Sequence, residues 1–132
     1  MMSAQIQHYE NKLAYEMDAA DLFEALNNGE RIIVIDARST EGYELEHIPG
    51  AVSLPHRTMD AATTAHLDRD VLYVTYCDGI GCNASTKGAL KLARLGFRVK
   101  ELMGGLDWWK RDQYTTAGTA GIARKMGITC FC

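Results

Sequence analysis

An apolar run, Val71 to Tyr76, ends on Cys77 and gives way to a glycine-containing loop, Asp78-Gly-Ile-Gly-Cys-Asn-Ala-Ser85, which leads into a helical pattern. A strand, a tight loop and a helix in that order aim backbone N–H groups, and the positive end of the helix dipole, at the mouth of the loop. The unit constrains both fold and chemistry. It delivers a thiol to a helix N-terminus, where an anion is stabilised, and a cysteine so placed is expected to ionise readily and act as a nucleophile at an open rim of the sheet.

The rest of the chain alternates in the same way. Asp18 caps a helical pattern formed by Ala19, Leu22, Phe23 and Leu26, and Asn27-Asn28-Gly29 stops it. Arg31-Ile-Ile-Val-Ile35 is a β-branched run of the kind covered on both faces, followed by Asp36-Ala-Arg38. Glu44 to Pro55, with two prolines and a glycine around Ala51-Val-Ser-Leu54, reads as a loop and a short strand. Between residues 57 and 70, Met59, Ala62, Ala65 and His66 fit one weak helical face. Ala89, Leu92 and Ala93 give a helical period closed by Gly96; Phe97 to Met103 alternates as a strand; Gly104-Gly105 turns into Leu106-Asp-Trp-Trp109. Strands separated by helices predict an α/β fold: a central parallel sheet of about five strands with helices on both faces, its clefts at the strands' carboxyl ends.

Composition narrows the function classes. A chain of 132 residues is expected to form one domain, with its core at about 18–111, an N-terminal extension over 1–17 and a C-terminal tail over 112–132. At this length neither disulfides nor metal are needed for folding. The four cysteines, at 77, 82, 130 and 132, do not scatter as a disulfide framework would, and the N-terminus shows no signal-type segment; a reducing cytoplasm is the expected setting. No apolar run approaches a membrane span, and a net charge of -3 offers no basic stripe, so neither membrane nor nucleic acid is expected as a partner. His8, His56 and His66 have no ligand spacing with the cysteines, so no metal or other cofactor is expected.

Three separated segments then carry a likeness. Val34-Ile-Asp-Ala-Arg38, Glu46-His-Ile-Pro-Gly-Ala-Val-Ser-Leu54, and Val74-Thr-Tyr-Cys77 with Lys87-Gly-Ala-Leu, Leu95-Gly-Phe97 and Gly104-Gly-Leu-Asp-Trp108 resemble a single-domain rhodanese in order and spacing. The resemblance implies a small α/β domain whose loop cysteine, here Cys77, takes a sulfane sulfur from a donor such as thiosulfate, holds it as a persulfide and passes it to cyanide, a thiol or a protein. Asp78 to Asn83 would line the substrate loop and donate amides to the persulfide, with Gly79 and Gly81 permitting close backbone approach. Ala84 and Ser85 complete that loop, Ser85 as a hydroxyl donor or a helix cap. The implied partners are a small sulfur donor and a thiol or protein acceptor; monomer and homodimer are both open.

The loop also departs from the family pattern. It is longer than in a simple thiosulfate sulfurtransferase, which suggests a different or larger donor, and it has no arginine or lysine between Cys77 and Lys87. Asp78 sets a negative charge beside the thiol. Cys82, five residues on, is a candidate resolving thiol that attacks the Cys77 persulfide or forms a disulfide with Cys77. Cysteine phosphatases and arsenate reductases of related fold place an arginine where this chain has Asn83, and the phosphatases a histidine where it has Tyr76, which disfavours that reading. A binding or regulatory module without turnover is the other alternative.

The remaining candidates read as framework. By resemblance, Asp36 and Arg38 brace the loop, and His47 belongs to a turn that shapes the fold, with Glu46 where the family usually has glycine. Trp108 and Trp109 are expected to pack a final helix on the sheet. Cys130 and Cys132 form a terminal pair suited to redox chemistry or a soft metal.

Overall fold

The computed structural model describes residues 2–124. Its centre is the pair of apolar runs. β2 (Ile32–Asp36) and β4 (Leu72–Tyr76) lie parallel, in register from Ile32 opposite Leu72 to Asp36 opposite Tyr76. β5 (Arg98–Leu102) pairs with the far side of β4, and two-residue edge strands finish the sheet: β1 (Glu16–Met17) beside β5 and β3 (Val52–Ser53) beside β2. The order β1-β5-β4-β2-β3, parallel throughout, is the five-stranded α/β sheet expected from the alternation.

Strand alternation assigns the two faces. Val34, Val74 and Tyr76 bury against Leu22 and Phe23 of α2 (Ala19–Asn27) and Leu106 and Trp109 of α5 (Gly105–Arg111). Ile35 and Tyr73 bury against Leu92 of α4 (Ala84–Arg94), Phe97 and Met59. Each large side chain removed from water in these layers stabilises the fold by about 1.5–3 kcal/mol. Asp18 caps α2 through its carboxylate, which accepts the Asp21 amide at 2.8 Å.

One segment differs from expectation. Residues 57–70 are not a helix: a short 3₁₀ turn over His56–Thr58 passes into irregular turns. Asp60 and Thr63 exchange hydrogen bonds at 2.8 and 2.9 Å, and Thr64 donates its hydroxyl to the Asp60 carbonyl; such local side-chain bonds compete with a helical ladder. The N-terminal extension, by contrast, holds a helix, α1 (Ser3–Tyr15), which rests beside β5 with no residue fully buried. A further short helix, α3 (Thr40–Leu45), follows β2, with Ser39 as its cap. Among the described residues no helix is long and apolar enough to cross a membrane.

The chain leaves β2 toward β3 and leaves β4 toward β5, in opposite directions across the sheet. That reversal opens a crevice outside the carboxyl ends of β2 and β4. Asp36-Ala-Arg38 forms one lip and Cys77-Asp78 the other.

Candidate active site

The floor of the crevice is a buried polar network. The Arg38 guanidinium donates to Asp36 Oδ1 and Oδ2 at 2.7–3.2 Å and to the Gly42 and Glu46 carbonyls at 3.2 and 2.6 Å. It also donates to Asp78 Oδ1 at 2.9 Å, spanning the crevice. From below, the Ile48 amide donates to Tyr76 Oη, and that hydroxyl donates to Asp36 Oδ2 at 2.9 Å. Burial alone would lower the Arg38 pKa, but its bonds to Asp36 and Asp78 outweigh that and raise it. Burial, then the Asp36 charge, push the Tyr76 phenol upward, so it stays a neutral donor. The negative charge that Asp78 sets beside the thiol therefore has a buried counter-ion, which the separation of Arg38 and Asp78 along the chain concealed.

Above this floor Cys77 and Cys82 are joined by a disulfide, with Cα atoms 6.2 Å apart. The Cys82 amide donates to the Gly79 carbonyl at 3.2 Å, folding residues 79–82 back over the end of β4. Cys77 is only 1% exposed, and this corrects the expectation of an ionised sulfur at an open rim: in this structure its sulfur is buried and covalently occupied. The first turn of α5 accounts for the burial, since the Leu106 amide donates to the Cys77 carbonyl at 2.9 Å and the Asp107 amide to the Asp78 carbonyl at 2.8 Å.

These geometries sit inside a stretch that the family model of the rhodanese-like domain matches, residues 18–112. The chain belongs to the rhodanese-like family. It is similar to the BH2092 protein of Bacillus halodurans, with 41% identity and a TM-score of 0.86 over 98% of this chain and 95% of that one. It is also similar to the rhodanese-like domain of an Anabaena protein, with 28% identity and a TM-score of 0.71 over 80% of each chain. A curated relative, an HTH-type transcriptional regulator of Mycobacterium tuberculosis, is 34% identical over 93 residues, which are 69% of this chain and 39% of the regulator. The chain thus spans about two fifths of the length of that relative.

Three clefts surround the loop of this rhodanese-like domain. The largest, about 910 Å³, is lined by Gly79 to Asn83, Ser85, Glu101, Met103 and Trp108. A second, about 490 Å³, runs past Arg38, Asp78 and Lys110, and a third, about 540 Å³, past His56, Arg57 and Lys87. Every loop candidate from Asp78 to Ser85 lines at least one cleft, and Cys82 lines all three; Cys77 lines none. The third cleft is cationic, and burial together with Lys91, Lys87 and Arg57 holds the His56 pKa below its ordinary value.

Several candidates take other positions than expected. Ser85 is not a cap: its hydroxyl donates to Glu101 Oε2 at 2.9 Å, and Asn83 stands at the N-cap of α4 without a side-chain bond. Gly79 and Gly81 have ordinary negative-side backbone angles, whereas Gly104 and Gly105 adopt φ of 79° and 55°. A Cβ on Gly105 would lie 2.3 Å from the Cys77 carbonyl oxygen, so the close backbone approach assigned to the loop glycines belongs to the turn that covers them. Trp109 is buried and donates to the Thr115 carbonyl, while Trp108 is 44% exposed and forms cleft wall rather than core. The signal for this was the helical offset between adjacent tryptophans. His47 stacks on Tyr43 and pairs its backbone with Ala117, away from the sulfurs. Glu46 accepts from Lys110 at 2.9 Å and from the Thr116 hydroxyl at 2.6 Å, pinning the segment after α5. Among the described residues no group of three or more His, Cys, Asp or Glu side chains could hold a metal. Cys130 and Cys132 lie outside the described residues.

Proposed function

We propose that this rhodanese-like domain is a sulfurtransferase in which Cys77 carries a sulfane sulfur as a persulfide. The observation that carries the reading is the place of Cys77: it directly follows β4 at the sheet's reversal point, within the family-matched stretch, under a loop whose residues all line clefts. With the disulfide reduced, the Cys77 thiolate attacks the outer sulfur of a donor such as thiosulfate or a small persulfide. The donor's sulfur–sulfur bond breaks, sulfite or a thiolate leaves with the bonding electrons, and the new sulfur stays on Cys77. The described residues give no acceptor to the amides of Asp78, Gly79, Ile80 and Gly81, which leaves these donors for the negative outer sulfur. A thiol, cyanide or a partner protein then attacks that sulfur and completes transfer.

The test is intact mass of the reduced protein after incubation with thiosulfate and with glutathione persulfide. One added sulfur, absent in Cys77→Ser, supports the reading. An unmodified wild type with both donors, or a sulfur that persists in Cys77→Ser, overturns it.

A second reading is a regulatory module without turnover, favoured by the likeness to a transcriptional regulator. It requires a reduced domain that accepts no sulfur but changes partner binding on oxidation. The same mass measurement separates the two.

A further inference from the structure

We propose that Cys82 gives this domain a second activity, reduction of its bound sulfane sulfur to sulfide. The inference rests on the persulfide reading and concerns the fate of the sulfur once Cys77 is loaded. Cys82 is the outward partner of a bonded pair: it borders all three clefts, while Cys77 lies beneath the loop at 1% exposure. Its Cα stands 6.2 Å from that of Cys77, within the range a disulfide requires, and the turn closed by its amide on Gly79 folds it back toward Cys77. The sulfur that Cys82 reaches is the Cys77 Sγ itself, which becomes the inner sulfur once a persulfide forms.

The step balances without an added reductant. The Cys82 thiol loses its proton to solvent, and the thiolate attacks Cys77 Sγ. The bond from Cys77 Sγ to the outer sulfur breaks, and that sulfur leaves with the electron pair, taking one proton from solvent, as hydrosulfide. The products are the Cys77–Cys82 disulfide seen here and one sulfide; the sulfane sulfur is reduced and the two thiols are oxidised. A further turnover needs an external thiol or dithiol to reduce the disulfide.

Two features favour this exit over transfer to an outside acceptor. An attacking thiol already held in the loop acts at an effective concentration that a dissolved thiol does not match. The loop also lacks a cation of its own: Arg38 is held by Asp36, Asp78 and two carbonyls, and the basic side chains His56, Arg57 and Lys87 line the wall of the third cleft. A persulfide anion on Cys77 therefore has the loop amides as its donors, with the Asp78 carboxylate and a second thiol as neighbours.

The experiment loads reduced, desalted full-length protein with glutathione persulfide, removes the donor, and follows intact mass and free sulfide with no reductant present. The wild type should gain one sulfur, then pass to a mass two hydrogens below the reduced protein while releasing one sulfide per chain. Cys82→Ser and Cys82→Ala should keep the added sulfur and release sulfide at least roughly tenfold more slowly until a thiol is added. A wild type that retains its sulfur as long as the variants, or releases sulfide without forming the disulfide, overturns the proposal while leaving the persulfide reading intact. Failure of wild type and variants alike to gain sulfur overturns the persulfide reading instead. The wild-type time course decides the matter by itself should both variants misfold.

Discussion

Beneath the crevice, Arg38 bonds Asp36, Asp78 and two carbonyls, and Tyr76 links Asp36 to the Ile48 amide; above it, Cys77 to Cys82 are held by one turn, two amides of α5 and the disulfide. The floor is buried and fully paired, and the roof is exposed and thinly tied. A fully satisfied low-dielectric network is rigid and costly to break, whereas a solvated loop changes state at small cost. The difference places a fixed platform under a loop whose two cysteines are joined by a disulfide.

Breaking the floor should have the largest effect. Asp36→Ala leaves the Arg38 charge and the Tyr76 hydroxyl without their buried partner, and a loss of about 3–5 kcal/mol in urea unfolding is expected; a loss below about 1 kcal/mol would show that the network is not as tight as its geometry. The joint between floor and roof comes next. Gly105→Ala puts a Cβ against the Cys77 carbonyl at φ 55°, with an expected cost of about 2–4 kcal/mol, whereas Gly81→Ala, with nothing within 4 Å, should stay within about 0.5 kcal/mol. Equal costs at the two glycines would remove the distinction.

Smaller effects sharpen the comparison. Asp78→Asn removes an ion pair whose acidic partner is 75% exposed, so a stability change under about 1 kcal/mol is expected by the same unfolding measurement. At Glu46, burial raises the pKa, but bonds from Thr116 and Lys110 outweigh it and the net value lies below the ordinary 4.5. A depressed carboxylate pKa contributes stability that is present above the unfolded value and is lost as pH falls through the folded one. Urea midpoints of the wild type should therefore fall as pH drops below 4.5, and those of Glu46→Gln should fall less steeply over that window. Parallel acid profiles would exclude Glu46 as a contributor.

Much of the fold was legible because it depends on neighbours in the chain. The β-branched run at 31–35 and the apolar run at 71–76 could only be buried strands, and the Asp18 cap and the Gly29 stop are local chemistry. Residues 57–70 misled because weak apolar spacing was overridden by Asp60 and Thr63 bonding each other. The long-range pieces of the site had no such local signature. Arg38 meets Asp78 across forty positions, and the Gly104-Gly105 turn reads as punctuation until it is seen pressing on the Cys77 carbonyl.

By itself the sequence determined that a cysteine would end a central strand of a parallel α/β sheet, with a second cysteine five residues on in a loop short enough for the two to meet. Only the tertiary structure decided which sulfur faces outward. The cause is packing: the first turn of α5 takes the Cys77 and Asp78 carbonyls and closes over the strand end, so Cys77 is buried and Cys82 is left at the clefts.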